Sequence, residues 1–461
     1  MHGQGETFME GARLGEAFLR GVGGRGVGPD ARAVAGLGGL GGALPEGPSD
    51  PVETVRLLDG VGRGATMATN GPRFFGFVIG GVLPAAQGAG ALASAWGQNA
   101  GLWVCSPVGS ACEGVASGWL LDLFGLDAGC AVGFVTGATM ANFTALCAAR
   151  HRVCARAGWD VEARGLHGAP EVRVVAGEQV HVSMRKSVSL AGLGRERMEL
   201  VATDDQGRML PDRLPELDER TILLVQAGDV NSGAFDPFEE LVGRAREAGA
   251  WVHVDGAFGL WAAACEEKRG LVRGVAGADS WATDCHKWLN AGYDSGVVIC
   301  RDEAALVASM SARASYLLES DRREPSWYTP ELSRRARGIE VWAALRSLGR
   351  SGVNGLVSRC CRHARRFAEG LAEAGFTILN DVVLNQVLVS FGDDETTARA
   401  IRLIQADGTC WVGGTTWTAA GSPVHAMRIS VCGWSTTEED VELSLGAMIR
   451  CGREAASGAV G

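Results

Sequence analysis

The sequence contains no sustained cluster of lysine and arginine, no basic stretch followed by an apolar one at its start, and no paired C-x-x-C motifs. With a formal net charge of −10, the first absence argues against nucleic acid or an anionic membrane surface as a partner. The second absence predicts that no secretory signal is present. The thirteen cysteines are scattered and odd in number, so we expect reduced, mostly buried thiols in a cytoplasmic protein without a metal site.

Charge is also missing from residues 74–112, where a hydropathy scan would suggest a membrane span. The segment includes Pro84, Pro107 and many glycines, together with polar residues such as Gln98 and Asn99. This mixture suits buried loops and helix ends better than a helix that faces lipid. We therefore expect an interior or subunit-interface segment, and no membrane partner.

The chain of 461 residues is long enough for about two to three domains. Hydrophobic residues make up 46% of it and charged residues 21%, a balance typical of a soluble globular protein. Its 67 glycines follow no fixed period, which excludes collagen-like and solenoid architectures. A large buried site for a small molecule is therefore possible.

Three regions can be distinguished along the chain. Residues 1–70 mix helical patterns with Gly/Pro-rich linkers, which predicts an arm without a core of its own. In residues 71–352, short apolar runs alternate with amphipathic segments, which predicts an α/β unit with a mostly parallel central sheet. Residues 353–461 are predicted to form a smaller C-terminal α+β domain. The runs predicted as strands are 131–135, 172–176, 222–225, 251–254, 297–300, 387–391 and 427–431.

The clearest local signal is the segment 281–288, WATDCHKW. An apolar strand that ends in His-Lys between aromatic residues places Lys287 where burial can lower its pKa and keep some of it neutral. A neutral lysine can form a Schiff base. The alternative is a solvated surface group, which most lysines are.

A second apolar strand precedes Asp255, in the segment 251–259, WVHVDGAFG. A carboxylate followed by small residues can approach a flat heteroaromatic ligand closely. Paired with a protonated pyridine nitrogen, Asp255 would keep the ring an electron sink, as carbanion chemistry on pyridoxal 5'-phosphate (PLP) requires. The alternative is that Asp255 caps the next helix.

Two further segments favour a bound phosphate and a stacked ring. Residues 135–143, VTGATMANF, form a strand-to-helix turn whose backbone N–H groups, with the Thr139 hydroxyl, would make a phosphate cup. The segment lacks the glycine patterns of nucleotide hydrolases and dinucleotide binders. His181 follows an apolar run, and its imidazole can stack on a cofactor ring or hydrogen-bond a substrate carboxylate. The alternative is a purely structural histidine.

The order of these four signals, phosphate turn, His, Asp and His-Lys, resembles that of the group II PLP-dependent amino acid decarboxylases. This family includes aromatic amino acid, tyrosine and glutamate decarboxylases, and the resemblance extends from about Gly71 to the C-terminus. Further similar segments are GPRFFGF at 71–77, a helix start with Ser106, Pro107 and Glu113, GAFDP at 233–237, and LSRR at 332–335.

The resemblance implies a PLP-dependent fold type I homodimer with active sites shared at the subunit interface and an L-amino acid as substrate. Lys287 would hold the cofactor as a Schiff base, Asp255 would pair with the ring nitrogen, and His181 would lie on the ring face. The other implied roles are contact with the opposite ring face for Ala257, phosphate contacts for Ala138, Thr139 and His286, and a substrate side-chain pocket for Phe77 and Trp103. In the implied reaction, loss of carbon dioxide gives a quinonoid intermediate, and protonation at Cα gives the amine.

The sequence departs from the family in the loop before Arg334. Aromatic members carry a tyrosine there that protonates the quinonoid, whereas here the interval from Tyr316 to Arg334 is shorter and Pro325 takes the tyrosine's place. Tyr328 is nearby but displaced. Asp284 also puts a carboxylate near the expected phosphate. Two alternatives stay open: an aldehyde formed when the quinonoid reacts with oxygen, and an aldol-type lyase reaction.

The residues expected around the substrate side chain are mostly apolar. They are Phe77, Val78, Ile79, Gly80 and Trp103. This lining favours an aromatic or aliphatic side chain over that of glutamate, whose carboxylate would need an arginine or several polar donors. The sequence does not identify the amino acid further.

Overall fold

A computed structural model describes residues 3–312, 321–418 and 421–458 of the chain. It begins with three helices, α1 (Gln4–Gly21), α2 (Ala31–Ala35) and α3 (Pro51–Gly62). The side chains of Asp30 and Asp50 accept hydrogen bonds from the first backbone N–H groups of α2 and α3, which fixes where these helices begin. None of the three helices contains a buried residue, so this part of the chain has little core of its own.

A seven-stranded sheet forms the centre of the molecule. Its strands are β1 (Ala131–Val135), β2 (Arg173–Gly177), β3 (Glu199–Val201), β4 (Thr221–Gln226), β5 (Trp251–Asp255), β6 (Ser280–Asp284) and β7 (Gly296–Cys300). The strand order is β1-β7-β6-β5-β4-β2-β3. Strand β7 runs antiparallel to both neighbours, and the other pairs are parallel. The five predicted strands of this region are confirmed, as is the mostly parallel sheet.

Helices pack around this sheet, and its central strands are buried along their whole length. They are α4 (Pro84–Trp96), α5 (Pro107–Phe124), α6 (Ala138–Arg156), α7 (Val161–Arg164), α8 (Val182–Leu190), α9 (Phe238–Glu247) and α10 (Glu303–Met310). The uncharged segment 74–112 contains α4 and the start of α5. Across the described ranges, the structure contains no helix with the length and apolar character needed to span a bilayer.

The C-terminal part is a four-stranded antiparallel sheet with long helices. Its helices are α11 (Gly338–Glu373), α12 (Asp394–Asp407) and α13 (Glu438–Ser457), and its strands are β8 (Thr377–Ile378), β9 (Gln386–Ser390), β10 (Gly413–Trp417) and β11 (Val424–Ser430). The strand order is β10-β11-β9-β8. Helix α11 is kinked at Gly349, whose φ of 60° is left-handed. The predicted domain boundary at 352/353 lies inside this helix, shortly after the kink.

Three aromatic rings join the N-terminal end of the large unit to the C-terminal part. Trp411 stacks on Phe74 with ring centroids 5.0 Å apart, and on Phe77 at 5.3 Å. A Cβ at Gly76 would lie 2.1 Å from Cζ3 of Trp411, so only glycine fits between the two phenylalanines. Phe77 and Val78 both have left-handed backbone angles, with φ of 53° and 58°. This conformation costs free energy, and the packing around it must hold it in place.

Candidate active site

Two carboxylates lie at the same edge of the central sheet because they end neighbouring parallel strands. Asp255 is the last residue of β5 and Asp284 the last residue of β6. Lys287 follows β6 by three residues, and its Nζ lies 2.8 Å from Oδ2 of Asp284 and 6.0 Å from the centre of the Phe258 ring. The predicted lysine is therefore held at the carboxyl end of the sheet, with its side chain 18% exposed.

Asp255 is nearly enclosed, with 6% of its surface exposed. Its Oδ1 accepts a hydrogen bond from the backbone N–H of Ala257 at 3.2 Å, and its Oδ2 accepts one from Nδ2 of Asn142 at 3.1 Å. Burial raises the pKa of the Asp255 carboxyl, while positive charge on His181, when that ring is protonated, and on Lys287 acts in the opposite direction. Asp255, His181 and Lys287 therefore belong to one electrostatic site.

The structural alternatives, a helix cap for Asp255 and a purely structural role for His181, have different outcomes. No α-helix starts directly after Asp255, since the next element is the 3-10 segment Gly259–Ala264. His181, by contrast, does cap a helix, because its Nδ1 accepts from the backbone N–H of Ser183 at the start of α8. Burial lowers the pKa of the His181 imidazole, which favours the neutral ring near neutral pH. Its structural role and its place beside Asp255 and Lys287 coexist.

The first turn of α6 meets the lysine segment at one carboxylate. The backbone N–H of Ala138 donates to Oδ1 of Asp284 at 2.5 Å, and Nε2 of His286 lies 3.5 Å from the same oxygen. Thr139 is the next residue of α6, and its backbone carbonyl accepts from the Ser187 hydroxyl. The structure thus brings together the predicted phosphate contacts, Ala138, Thr139 and His286, but it also places the Asp284 carboxylate among them.

Glycine makes this close approach possible. A Cβ on Gly296 would lie 2.5 Å from Cα of Gly137, and one on Gly137 would lie 3.1 Å from Cε1 of His286. The site supplies the Lys287 amine, the Asp255 carboxylate, the His181 imidazole and the N-terminus of α6. These groups match, in that order, the aldehyde, ring nitrogen, ring face and phosphate of PLP. The residues present therefore fit this cofactor.

Comparison with known proteins agrees with this fit. The family model described as "Pyridoxal-dependent decarboxylase conserved domain" matches residues 65–392. The chain belongs to the pyridoxal-dependent decarboxylase family. The predicted family and the predicted cofactor, PLP, are thereby confirmed.

Individual relatives of this family member are named for different substrates or products. It is 29% identical to the acidic amino acid decarboxylase GADL1 of Bos taurus over 329 residues, which are 68% of this chain and 62% of the relative. It is 26% identical to the phenylacetaldehyde synthase of a Rosa hybrid cultivar over 374 residues, 73% of this chain and 71% of the relative. The chain thus matches about three fifths of the length of the GADL1 relatives.

A solved structure supports the fold. The crystal structure of Oryza sativa TDC with PLP and tryptamine superposes with a TM-score of 0.88 at 21% sequence identity, covering 97% of both chains. The predicted fold class, an α/β PLP-dependent fold type I with a smaller C-terminal α+β part, is confirmed.

The two predicted pocket residues lie in different surroundings. Phe77 is 62% exposed, and the chain after it passes beside the lysine, because a Cβ on Gly80 would lie 2.1 Å from the backbone oxygen of Lys287. The backbone N–H of Trp103 donates to Oε2 of Glu324 at 2.7 Å, and the Arg322 guanidinium lies over the indole. The structure therefore joins Trp103 to the segment that precedes LSRR.

Tyr328, the displaced tyrosine of the segment before Arg334, lies in the 3-10 segment Pro325–Tyr328. Tyr328 is buried, and its hydroxyl donates to Oε1 of Glu303 at 2.8 Å. Burial and this hydrogen bond raise its pKa to about 12. Tyr316 lies outside the described residues. In this family member, Tyr328 is thus committed to a structural contact.

Sequence reasoning missed several groups of the site. Asn142 lies one turn into α6 from the predicted phosphate turn, and Tyr293 stacks on the His286 ring at 4.4 Å. Arg428, on β11, is near enough for its charge to lower the pKa of His181, and its Nη1 donates to the Val230 carbonyl. An arginine between the apolar residues of a strand was a signal that could have identified Arg428.

Proposed function

We propose that the chain is a PLP-dependent carboxy-lyase that converts an L-amino acid to its amine and carbon dioxide. The observation that carries the proposal is the shared site of Lys287 and Asp255, whose charges influence each other at the carboxyl ends of β5 and β6. Family membership and the cradle around Gly137 support the same conclusion. A buried carboxyl with a raised pKa, such as that of Asp255, is typical of catalytic sites in such a position.

Each residue of the site has a distinct task in this proposal. The chemistry supplied by bound PLP is an electron sink for the pair left at Cα when carbon dioxide departs. Lys287 would hold the coenzyme covalently through Nζ, and Asp255 would accept a hydrogen bond from its protonated ring nitrogen. His181 and Ala257 would lie on its two faces. Ala138, Thr139 and His286 would contact its phosphate.

The substrate carboxylate must be oriented for cleavage. His181 caps α8 and is therefore held in one orientation, and it can hydrogen-bond an oxygen of that carboxylate. Arg428 adds a positive charge on the same side, since it acts on the pKa of His181. A desolvated cation near an imidazole favours binding of an anion over a neutral group.

The substrate side chain is proposed to be apolar. Phe77 presents an exposed ring fixed by stacking on Trp411, and the residues that follow it up to Gly80 carry no charge. The acidic substrates named for GADL1 relatives form the opposing case, in which Arg428 would bind the side-chain carboxylate. Comparing tryptophan, phenylalanine, leucine, aspartate and glutamate as substrates separates the two.

A second candidate reaction has its own support. The Tyr328 hydroxyl is bound to Glu303, so this tyrosine cannot deliver a proton to Cα in this conformation. Without prompt protonation, an amino acid, dioxygen and water would give an aldehyde, carbon dioxide, ammonia and hydrogen peroxide. The Rosa relative is named for an aldehyde product. The aldol-type lyase reaction has no comparable support in the structure.

The proposal includes a cytoplasmic homodimer with shared sites. Helices α1 and α3 expose the large apolar residues Phe8, Met9, Leu57 and Leu58, which need a covering surface, and a second copy of the chain would supply it. All thirteen cysteines are free, as a reducing compartment requires. Residues 1–70 would be the arm, 71–352 the coenzyme-binding domain and 353–461 the small domain.

The experiment uses the purified full-length chain with PLP. We expect an imine absorption band that borohydride abolishes, and equal amounts of amine and carbon dioxide from at least one proteinogenic amino acid. Aldehyde with peroxide in place of amine would select the second candidate. A protein without the imine band, or without carbon dioxide release from any amino acid, would refute both. Sedimentation velocity should give a dimer, and removal of residues 1–62 should give a monomer.

A further inference from the structure

Strand β5 places three functional side chains on one face. Residues Trp251, His253 and Asp255 alternate along the strand, so they point to the same side of the sheet. His253 lies directly opposite Ser280 on β6. Asn142 of α6 packs over this face, because its amide reaches both His253 and Asp255. All five residues are buried.

These side chains form one continuous series of hydrogen bonds. Nε1 of Trp251 donates to Oγ of Ser280 at 2.9 Å, and Oγ of Ser280 lies 2.9 Å from Nδ1 of His253. Nε2 of His253 lies 2.9 Å from Oδ1 of Asn142. Nδ2 of Asn142 donates to Oδ2 of Asp255 at 3.1 Å. The series ends on the carboxylate assigned to the coenzyme's ring nitrogen.

The two ends of the series determine its direction. Trp251 can only donate, and an ionised Asp255 can only accept. Asn142 must therefore turn its NH₂ group to Asp255 and its oxygen to His253, which requires a proton on Nε2 of His253. Nδ1 is then free to accept from the Ser280 hydroxyl. Every donor points toward Asp255, an arrangement in which each hydrogen bond strengthens the next.

The imidazole meets the condition that this arrangement sets. Burial lowers the pKa of His253 to about 3, so the ring is neutral at neutral pH and carries one proton only. A protonated Asp255 would reverse the series. Its hydroxyl would donate to Asn142, whose NH₂ would turn to His253 and move the ring proton to Nδ1. The tautomer of His253 therefore reports whether Asp255 is ionised.

We propose that His253 is a positioning residue that acts through Asn142 to orient the ionised Asp255 carboxylate toward the ring nitrogen of the coenzyme. The inference rests on the proposed function, because it concerns the same coenzyme. It adds a group that never touches the coenzyme itself, since Asn142 lies between.

Coenzyme binding to the coenzyme-free protein tests the proposal. Replacing His253→Leu removes the donor to Asn142, and we expect about tenfold weaker PLP binding and a lower kcat with little change in KM for the amino acid. His253→Gln keeps an N–H near the position of Nε2 and should restore binding to within about threefold. His363→Leu removes another buried histidine, on α11, and should leave binding unchanged. Equal binding by wild type and His253→Leu would overturn the proposal.

A double replacement separates positioning from a general effect on folding. In an Asp255→Asn background there is no carboxylate to orient, so adding His253→Leu should weaken PLP binding no further. A second loss of about tenfold in that background would show that His253 acts on the fold and not through Asp255.

The tautomer can be read directly. With ¹⁵N-labelled histidine, NMR of the PLP-bound protein should show His253 protonated on Nε2 from about pH 6 to about pH 9. A proton on Nδ1 in the bound protein would contradict the proposed direction. The failure of the proposed function looks different. A wild-type protein that binds no PLP would refute that function, whereas a protein that binds PLP equally well with and without His253 would refute only the positioning role.

Discussion

The two ends of the candidate site are stabilised in opposite ways. At the Asp255 end, comprising Asp255, Asn142 and His253 with Ser280, a single carboxylate is held by neutral donors that are all buried. At the Lys287 end, comprising Lys287, Asp284, His286 and the start of α6, charged groups contact each other directly.

This difference determines which end of the site can exchange its partners. Neutral donors inside a closed series cannot leave without exposing buried polar groups, so the Asp255 end is fixed before any ligand arrives. The ion pair of Lys287 with Asp284 is partly exposed, and a phosphate or aldehyde can compete for its members. The first end therefore provides orientation, and the second provides a place where bonds form and break.

The largest effect should come from the lysine itself. Lys287→Ala should lower kcat/KM by about ten-thousand-fold or more and abolish the imine absorption, because no amine remains to carry the coenzyme. The chain has only three lysines, and Lys268, whose Nζ donates to the Val383 carbonyl, provides the matched control Lys268→Ala. An imine band that persists in Lys287→Ala and that borohydride abolishes would assign the coenzyme to another residue.

The next effect tests the fixed end. Asp255→Asn keeps the shape but removes the charge, and we expect kcat to fall by about a hundred- to a thousandfold while the imine still forms. Steady-state kinetics and absorption spectra measure the two quantities separately. Asp255→Glu retains the charge, so its kcat should fall less than that of Asp255→Asn. If Asp255→Asn kept activity within a few-fold of wild type, the ring nitrogen would need a different partner.

Acid should lower the free energy of unfolding through His253, at the Asp255 end of the site. The pKa of His253 is lowered by burial to about 3, so the folded protein resists protonation there whereas the unfolded chain accepts a proton below about pH 6.5. This contribution to stability is complete above about pH 6.5 and is lost as the pH falls toward about 3. Between about pH 6.5 and about pH 5 the loss amounts to about 2 kcal/mol. Urea unfolding should show this acid-dependent loss in wild type and not in His253→Gln, and identical pH profiles would contradict it.

The smallest effect concerns the exchangeable end. Asp284→Asn keeps an oxygen for the Ala138 N–H but removes the negative charge beside the expected phosphate, so PLP should bind about three- to tenfold more tightly at low salt. Titration of the coenzyme at two ionic strengths measures the change, which should shrink in high salt. Asp122→Asn, on the exposed surface near Arg350, is the control. Weaker binding by Asp284→Asn would mean that this carboxylate assists the coenzyme.

The sequence contained the parts of this site that depend on local pattern. Asp255 and Lys287 could be predicted because one ends and the other follows a segment read as an apolar strand, and these two segments are β5 and β6 of the sheet. The hydrogen bonds around these two residues could not be predicted from the sequence. Ala138 and Asp284 are 146 residues apart in the sequence, and Asn142 and His253 are 111 residues apart. A local sequence pattern carries no information on contacts between such distant residues.

The strands that were missed have a physical explanation of a different kind. Strand β10, GGTTW, has two glycines and two threonines, and it exists because β11 pairs with it along its length. Tertiary pairing overrides weak local preference in such a case. The boundary predicted at 352/353 likewise falls inside α11, because the kink at Gly349 hides the continuity between its two parts.

The stack of Phe74, Trp411 and Phe77 links two properties that engineering usually treats separately. Phe77 is a candidate for determining substrate specificity, yet the same ring also packs on Trp411 and so helps to attach the C-terminal part. Replacing Phe77 by a smaller residue would widen the pocket but would also remove its stacking on Trp411. A change in substrate specificity should therefore be accompanied by a less rigid contact between the C-terminal part and the rest of the molecule. Variants selected for larger side chains should therefore need a compensating change on the other face of Trp411.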